Sequence, residues 1–548
     1  MTPLLHMGFG RADIPAIGSG RAKQGWGQAH FTATHGDEPL QCRAWATRSG
    51  ADGAVQVLVL AEICFMTGVV RRRAEALLAD RHGMAPDAVM MCATHNHSGP
   101  GGYASTLWFD IPCGGRDEAM VDGIAGAIAA ATARAIGSLQ PVQAWTLRAD
   151  SGLQSLLHNR AWRAYNRNEG VTPVEASTAH LATDPAMDLV RVDTMDGRPL
   201  GLVSWFGLHG TCLQSEHAIV SPDHKGTSAR LLEERFGDGF IAILAQGPTG
   251  DVTTNSTWDA RSGRTTGPFG RGKDNLQAIA EAQARACTQL HASAPEQGQP
   301  MQGPLLGVQE VVDFPSVTLP DGPGGSRPVI GPELGLGVVL GTLEGPGPVG
   351  AGAPTRLLVE TLRRIGTTGG GSRDDDTLRA RAGRLPLVTQ GDDGEGRILG
   401  RVLLSNALVP AFIDDQLRRT QKELQDGTAP VRTWLPRTLP VQVQRIGPLL
   451  VAGLGGEPTT TAGHRLRAAL AEVHDGPVAL TTYAGEYGGY IVTPEEFAEH
   501  GYESGSTMFG RWTLDAWCQE LVRLAGRIGA GAVASEHAPP APPPHSTG

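Results

Sequence analysis

His95 and His97 stand one residue apart in the stretch Ala93-Thr94-His95-Asn96-His97-Ser98-Gly99-Pro100. An apolar run at 88–93 leads into them and the glycines 99, 101 and 102 follow. This pattern predicts a buried strand that delivers both imidazoles to a loop at a sheet edge, on one face because strand residues i and i+2 share a side. Two such rings in one small volume suit metal binding or paired acid–base work. Taken alone, the pair describes equally well a strand end with two hydrogen-bonded histidines.

Other groups sit in similar settings. His209 follows the apolar stretch Leu202-Val203-Ser204-Trp205-Phe206 and precedes Gly210; a structural histidine has the same surroundings. Asp223, in Ser221-Pro222-Asp223-His224-Lys225-Gly226, opens a helix and suits capping. The polar segment 246–255, with Asp251 and Thr253, follows a strand ending at 245, where α/β proteins place functional loops; a plain turn fits it too. Glu457 lies between a strand at 449–454 and a helix, placed either to bind a metal or to complement the helix dipole. Thr493, Pro494 and Glu496 spell a capping box with proline at the first helical position. That helix is expected to span about seven residues, about 10 Å, ending at Gly501, so Tyr490 and Tyr502 flank one cleft. Four of the six tyrosines (Tyr483, Tyr487, Tyr490 and Tyr502) cluster here.

The elements that must hold these groups alternate. Strand-like runs at 55–63, 88–93, 188–194, 200–208 and 240–245 are interleaved with helical spacing at 69–81, 120–136, 225–236 and 275–290. The turn 195–199 makes 188–208 a hairpin. A second strand pair, 439–445 and 449–454, turns at Ile446-Gly447-Pro448, and helices are expected at 413–424, 462–473 and 512–528. The fold class is therefore α/β, a mixed sheet with helices on its faces. Residues 315–385, rich in glycine and proline, predict long ordered loops within one domain of residues 1–530; the proline-rich 531–548 predicts a disordered tail.

Bulk properties exclude several classes. A net charge of -10 argues against a nucleic-acid partner or an anionic membrane surface. The seven cysteines are odd in number and contain no CxxC pair, which predicts free thiols rather than a disulfide framework. No signal peptide and no bilayer-spanning apolar run is expected, which favours a cytoplasmic protein. Oligomeric state is not encoded in these features.

Seven ordered segments go further. ATHNHSGPGG, SWFGLHGT, SPDHKG, GDVTTN, GTLEGPG, GGEPTT and YIVTPEEF with GYESGSTMFG, after an opening GRADI, occur in the order found in the neutral, non-lysosomal ceramidases, which this chain resembles from about residue 8 to about residue 527. The resemblance implies a zinc amidase. His95, His209, Glu457 and Tyr490 would be the zinc ligands, with water in an open position. His97 would do acid–base work toward the leaving amine, and Arg160 and Tyr502 would orient the substrate or hold developing charge. Thr253 stands where the family has the serine of its GDxSPN loop, Thr254 replaces the proline, and Ala161 stands where serine is common. A threonine keeps the hydroxyl on a stiffer side chain, which a zinc–water mechanism tolerates better than direct hydroxyl attack. The implied substrate is ceramide or a related N-acyl amide, hydrolysed to amine and fatty acid. The family's C-terminal immunoglobulin-like domain is not expected here.

Alternatives are an amidohydrolase acting on a soluble, non-lipid amide, and a non-catalytic protein that binds lipid or metal. An amidohydrolase-type barrel places its His-x-His pair near the chain start, unlike 95–97. A metallo-β-lactamase-like fold requires an Asp-His soon after the pair, where Ser98-Gly99 stands.

Overall fold

The computed structural model describes residues 4–17, 19–34, 36, 38–322, 325–345, 347, 375–391, 396–398, 401–402 and 433–529. Strands β1 (Leu5–Asp13), β2 (Gln41–Ser49), β3 (Val55–Ala61) and β4 (Val89–Ala93) form half of a large mixed sheet, in the order β4-β3-β2-β1. β5 (Gln140–Asp150) continues it. The short β6 (His158–Asn159) stands apart and pairs with a later strand. Beyond β5 come β7 (Ala186–Thr194), β8 (Pro199–Trp205) and β9 (Ile241–Ala245). The partner of β6 is β10 (Val252–Thr253). β1 and β5 share only the pairs His6↔Pro141 and Met7↔Gln140. The sheet folds at this narrow seam, and β9 lies back against β1, β2 and β3.

A second sheet, from Leu305–Asp313, Thr438–Ile446, Leu449–Gly453 and Val478–Thr481, packs on the first. Strand alternation explains how. Leu58, Leu60, Met90, Cys92 and Val203 face Ile446, Leu449, Val451 and Ala479 across one apolar layer. Their neighbours Val57, Val59, Val89 and Met91 face the opposite way, onto helices Gly68–His82 and Glu118–Gly137. Helices Thr460–Ala471 and Thr513–Gly529 cover the outer face of the second sheet. The result is an α/β fold with helices outside two apposed sheets.

Three parallel strand pairs are each joined through a helix: β3 to β4 by Gly68–His82, β8 to β9 by Asp223–Phe236, and Leu449–Gly453 to Val478–Thr481 by Thr460–Ala471. Parallel neighbours require such crossovers. Their carboxyl ends are where loops converge on a ligand. Lys225, buried in the second crossover helix, ties two of those ends together by donating to the carbonyls of Phe206 (2.8 Å) and Ala245 (3.1 Å).

Several expectations change. β4 stops at Ala93, and His95 takes a left-handed φ of 61° beyond it. The histidine pair is therefore brought together by a kinked loop, not by strand alternation. The capping box at Thr493 forms, but its helix is only Pro494–Phe497; Gly501 caps the start of the next helix, Tyr502–Gly505. Within 315–385, Glu333–Gly335 forms a strand that pairs with Pro386–Gln390, just beyond that segment, in a small sheet. Among the described residues one helix, Glu118–Gly137, is long and apolar enough by length and composition to cross a membrane; it packs as a core helix against β1, β2 and the Gly68–His82 helix. All seven cysteines are free. The expected helix at 413–424 and tail at 531–548 lie outside the described residues.

The helical layer over β7–β9 contains a titratable group whose effect on stability has a definite sign. His291 is buried against Phe236 and Phe240, and its Nε2 has no partner among the described residues. Burial, then Arg191, pushes its imidazole down to about 3. Below pH 6.5 the unfolded chain takes up a proton that the folded chain refuses, so stability falls as pH falls from about 6.5 toward 3. The loss between pH 7.5 and 5 is about 2 kcal/mol for this group. His291→Leu should flatten that part of the acid limb in urea unfolding; an unchanged difference between the two pH values would contradict the assignment.

Candidate active site

The loop after β4 and the loop after β8 meet through a bridge between Asn96 and Gly210, with the His97 amide donating to the Gly210 carbonyl (3.1 Å). The second loop is anchored on Asp223, whose carboxylate accepts from the amides of Cys212 (3.3 Å) and Leu213 (3.0 Å). Asp223 thus ties the His209 loop to the crossover helix. The chain after Leu449–Gly453 brings Glu457 in from the other sheet, and Glu457 pairs in register with Tyr490 in a short parallel bridge.

These loops place His95 Nε2 3.6 Å and His209 Nε2 3.4 Å from one Glu457 carboxylate oxygen. The three donor atoms lie within 4.8 Å of one another, and all three residues are buried. The remaining ring nitrogens are tied down: His95 Nδ1 lies 3.0 Å from the Cys64 carbonyl and His209 Nδ1 2.8 Å from the Thr249 carbonyl. A bond from each Nδ1–H to a carbonyl leaves each Nε2 as a lone-pair donor toward the shared point, the arrangement of metal-ligating histidines. Burial pushes the His95 imidazole well below its ordinary range, which keeps it neutral. Burial alone would raise the Glu457 carboxyl, but His95, His209 and the Tyr487 hydroxyl hold it well below the usual range. Two histidines and a carboxylate form a set suited to zinc.

Aromatic rings brace this centre. The Tyr483 hydroxyl donates to Glu457 (3.0 Å) and the Tyr487 hydroxyl to its other oxygen. Tyr483 has a left-handed φ of 55° and stacks on His95 at 4.0 Å and 14°. Two non-glycine residues in this sparse region, stacked on each other, hold backbone strain of about 1–3 kcal/mol each at the site.

His97 Nε2 lies 2.9 Å from His95 Nε2, so both histidines reach the same volume. Unlike the other two, His97 has no partner at Nδ1 among the described residues. Gly25, with φ of 97°, lies so close that a Cβ there would stand 2.5 Å from that nitrogen. Burial, then His209, lowers the His97 imidazole to about 3. Arg160 follows β6, and its side chain is 8% exposed. Its Nη2 donates to the Tyr490 hydroxyl (2.8 Å) and the Gly250 carbonyl (3.0 Å), and its Nε to Glu503 (3.1 Å). Tyr502 packs edge-on to Tyr490 at 5.5 Å.

His95, His97, Arg160, His209, Glu457, Tyr490 and Tyr502 line one cavity of about 240 Å³. Phe65, Trp108, Phe109, Ile111, Val338 and Met508 form its apolar wall. Thr253 does not line it. Its hydroxyl donates to the buried Glu344 (2.8 Å) and accepts from the Asn255 amide (3.0 Å). Glu344 has no local signal that assigns it a role, although its GTLEGPG segment is distinctive, and the same holds for the roles of Tyr483, Tyr487 and Glu503. The tyrosine cluster was the one signal for the two tyrosines. Cys64 was also overlooked; its carbonyl holds His95, and its thiol forms a second buried donor group with His95 and His97.

The α/β fold thus holds a cavity with a buried polar centre and an apolar wall. The neutral/alkaline non-lysosomal ceramidase N-terminal model matches residues 5–355 and 415–519. The chain belongs to this family, and with it to the hydrolases of linear amide bonds. It is 27% identical over 543 residues to the neutral ceramidase of Mycobacterium tuberculosis, covering 95% of this chain and 77% of that protein. It is 28% identical over 539 residues to the neutral ceramidase of Pseudomonas aeruginosa, covering 95% and 71%. Among solved structures, a ceramidase complexed with C2 superposes with a TM-score of 0.79 at 25% identity, over 98% of this chain and 77% of that one. The Pseudomonas aeruginosa neutral ceramidase structure gives a TM-score of 0.76 at 24% identity, over 98% and 76%.

Proposed function

We propose that this protein is a zinc-dependent amidase that cleaves an N-acyl lipid amide of the ceramide class into a sphingoid base and a fatty acid. The observation that carries this is the convergence of His95 Nε2, His209 Nε2 and a Glu457 oxygen at an apolar-walled cavity. His95, His209, Glu457 and Tyr490 would hold the metal. Bound zinc supplies Lewis acidity for the carbonyl and an acidified water.

The chain's own residues do the rest. Amide cleavage builds negative charge on the carbonyl oxygen and needs a proton for the leaving amine. Arg160, fixed against Tyr490, offers a permanent cation beside the centre. Tyr502 adds a hydroxyl donor on the same wall. His97, whose Nε2 faces the same volume as the His95 Nε2, moves the proton toward the amine. The apolar wall takes an acyl chain and keeps bulk water from the reacting bond. Thr253 serves as structural support, since its hydroxyl proton is already given to Glu344.

The test is a mass-spectrometric screen of N-acyl amides, ceramide included, against the purified protein, alongside metal analysis. Roughly one zinc per chain and release of fatty acid from ceramide are expected. Cleavage confined to soluble amides would move the substrate class; no metal and no amide cleavage would overturn the proposal.

A further inference from the structure

Glu344 is the least explained charged group near the cavity. It is 2% exposed and belongs to a tight turn in which the Thr342 amide donates to the Gly345 carbonyl (2.9 Å). One carboxylate oxygen receives three donors: Thr253 Oγ1 (2.8 Å), Asn255 Nδ2 (2.8 Å) and Thr211 Oγ1 (3.1 Å). The other oxygen receives Arg160 Nη1. The donors come from three different places: the loop after β8, the β10 region and the residue that follows β6.

Arg160 has five N–H groups in a planar fork. Its Nε bonds Glu503, one Nη2–H the Gly250 carbonyl, the other the Tyr490 hydroxyl, and Nη1 binds Glu344. The guanidinium plane is thus pinned at its two ends by carboxylates, leaving one Nη1–H outside these four bonds. A fork aimed in this way is worth more to a developing oxyanion than a mobile one, because no reorganisation is needed as charge appears.

We propose that Glu344 is the positioning residue for Arg160: with Thr253, Thr211 and Asn255 as its supports, it sets the orientation of the guanidinium toward the reacting amide. The role of the Thr253 hydroxyl follows from the same geometry. An oxygen that already accepts three hydrogen bonds is a poor base for a hydroxyl nucleophile, so Thr253 acts through Glu344 and Arg160 and not on the substrate. This inference rests on the amidase proposal above.

The test is a double-mutant cycle of Glu344→Gln and Arg160→Ala, read as kcat and KM on the amide that wild type cleaves, with zinc content measured for each variant. Glu344→Gln should lower kcat about 10–100-fold with KM changed by less than about threefold and zinc retained. In the Arg160→Ala background it should cost less than about twofold. Equal cost in both backgrounds, or an unchanged kcat, overturns the inference. Should Glu344→Gln fail to fold, Thr253→Ala replaces it in the cycle, with about a 3–10-fold loss of kcat expected only when Arg160 is present. If wild type cleaves no amide, the amidase proposal fails, and a crystal structure of the variant decides this one separately. Arg160 leaving Tyr490 supports Glu344 as its anchor; Arg160 unmoved overturns it.

Discussion

His95→Ala should leave a protein with less than about one-tenth of its zinc and a kcat/KM lower by about 10⁴-fold, about 5.5 kcal/mol of barrier. The size follows from how the site is built. His95 supplies one of the three donors, with His209 and Glu457, that lie within 4.8 Å of one another. Its orientation depends on the Cys64 carbonyl, its left-handed backbone and the stacked Tyr483 ring. The deletion also leaves Glu457 buried, with His209 as its one remaining histidine partner. Metal analysis and initial rates on the same preparation check the result. A variant with full zinc and wild-type rates would show that the metal is bound elsewhere.

The strands that deliver these residues were legible because they are simple. β3, β4, β8 and β9 are near-continuous apolar runs, as strands buried on both faces must be. β5 and β2 escaped notice because Gln140, Gln143 and Arg148 in one, and Arg43 in the other, interrupt the hydrophobic pattern. Arg43 is tolerated in the core only because Glu62 and Glu233, distant in sequence, pair with it there. The long-range geometry had no local signal at all. His95 and His209 leave strands far apart in the sheet order, and they meet because the sheet folds at the two-residue seam between β1 and β5. His95 and His97 are close, as their spacing predicts, but the turn at His95 and not a shared strand face brings the rings together. Single motifs marked the corners of the site; the bonds between motifs, Glu344 to Arg160 above all, exist only in three dimensions.

His97→Ala separates the two histidines of the pair and carries the second-largest effect. It should lower kcat by about 10²–10⁴-fold while the protein keeps nearly all of its zinc. Position alone does not distinguish the rings, because their Nε2 atoms are 2.9 Å apart. The distal nitrogens do. His95 and His209 each have a backbone carbonyl at Nδ1, the partner that fixes the tautomer and aim of a ligating imidazole. His97 has none among the described residues, and the close backbone of Gly25 leaves little room for one. An imidazole held by packing beside Trp26, at 5.4 Å between rings, is better placed to exchange a proton with a bound amide than to anchor a cation. Zinc content and kcat measured together decide it: equal zinc loss in His95→Ala and His97→Ala would make His97 a ligand and leave the leaving amine to be protonated by another group on the cavity wall, with Tyr502 the next to test.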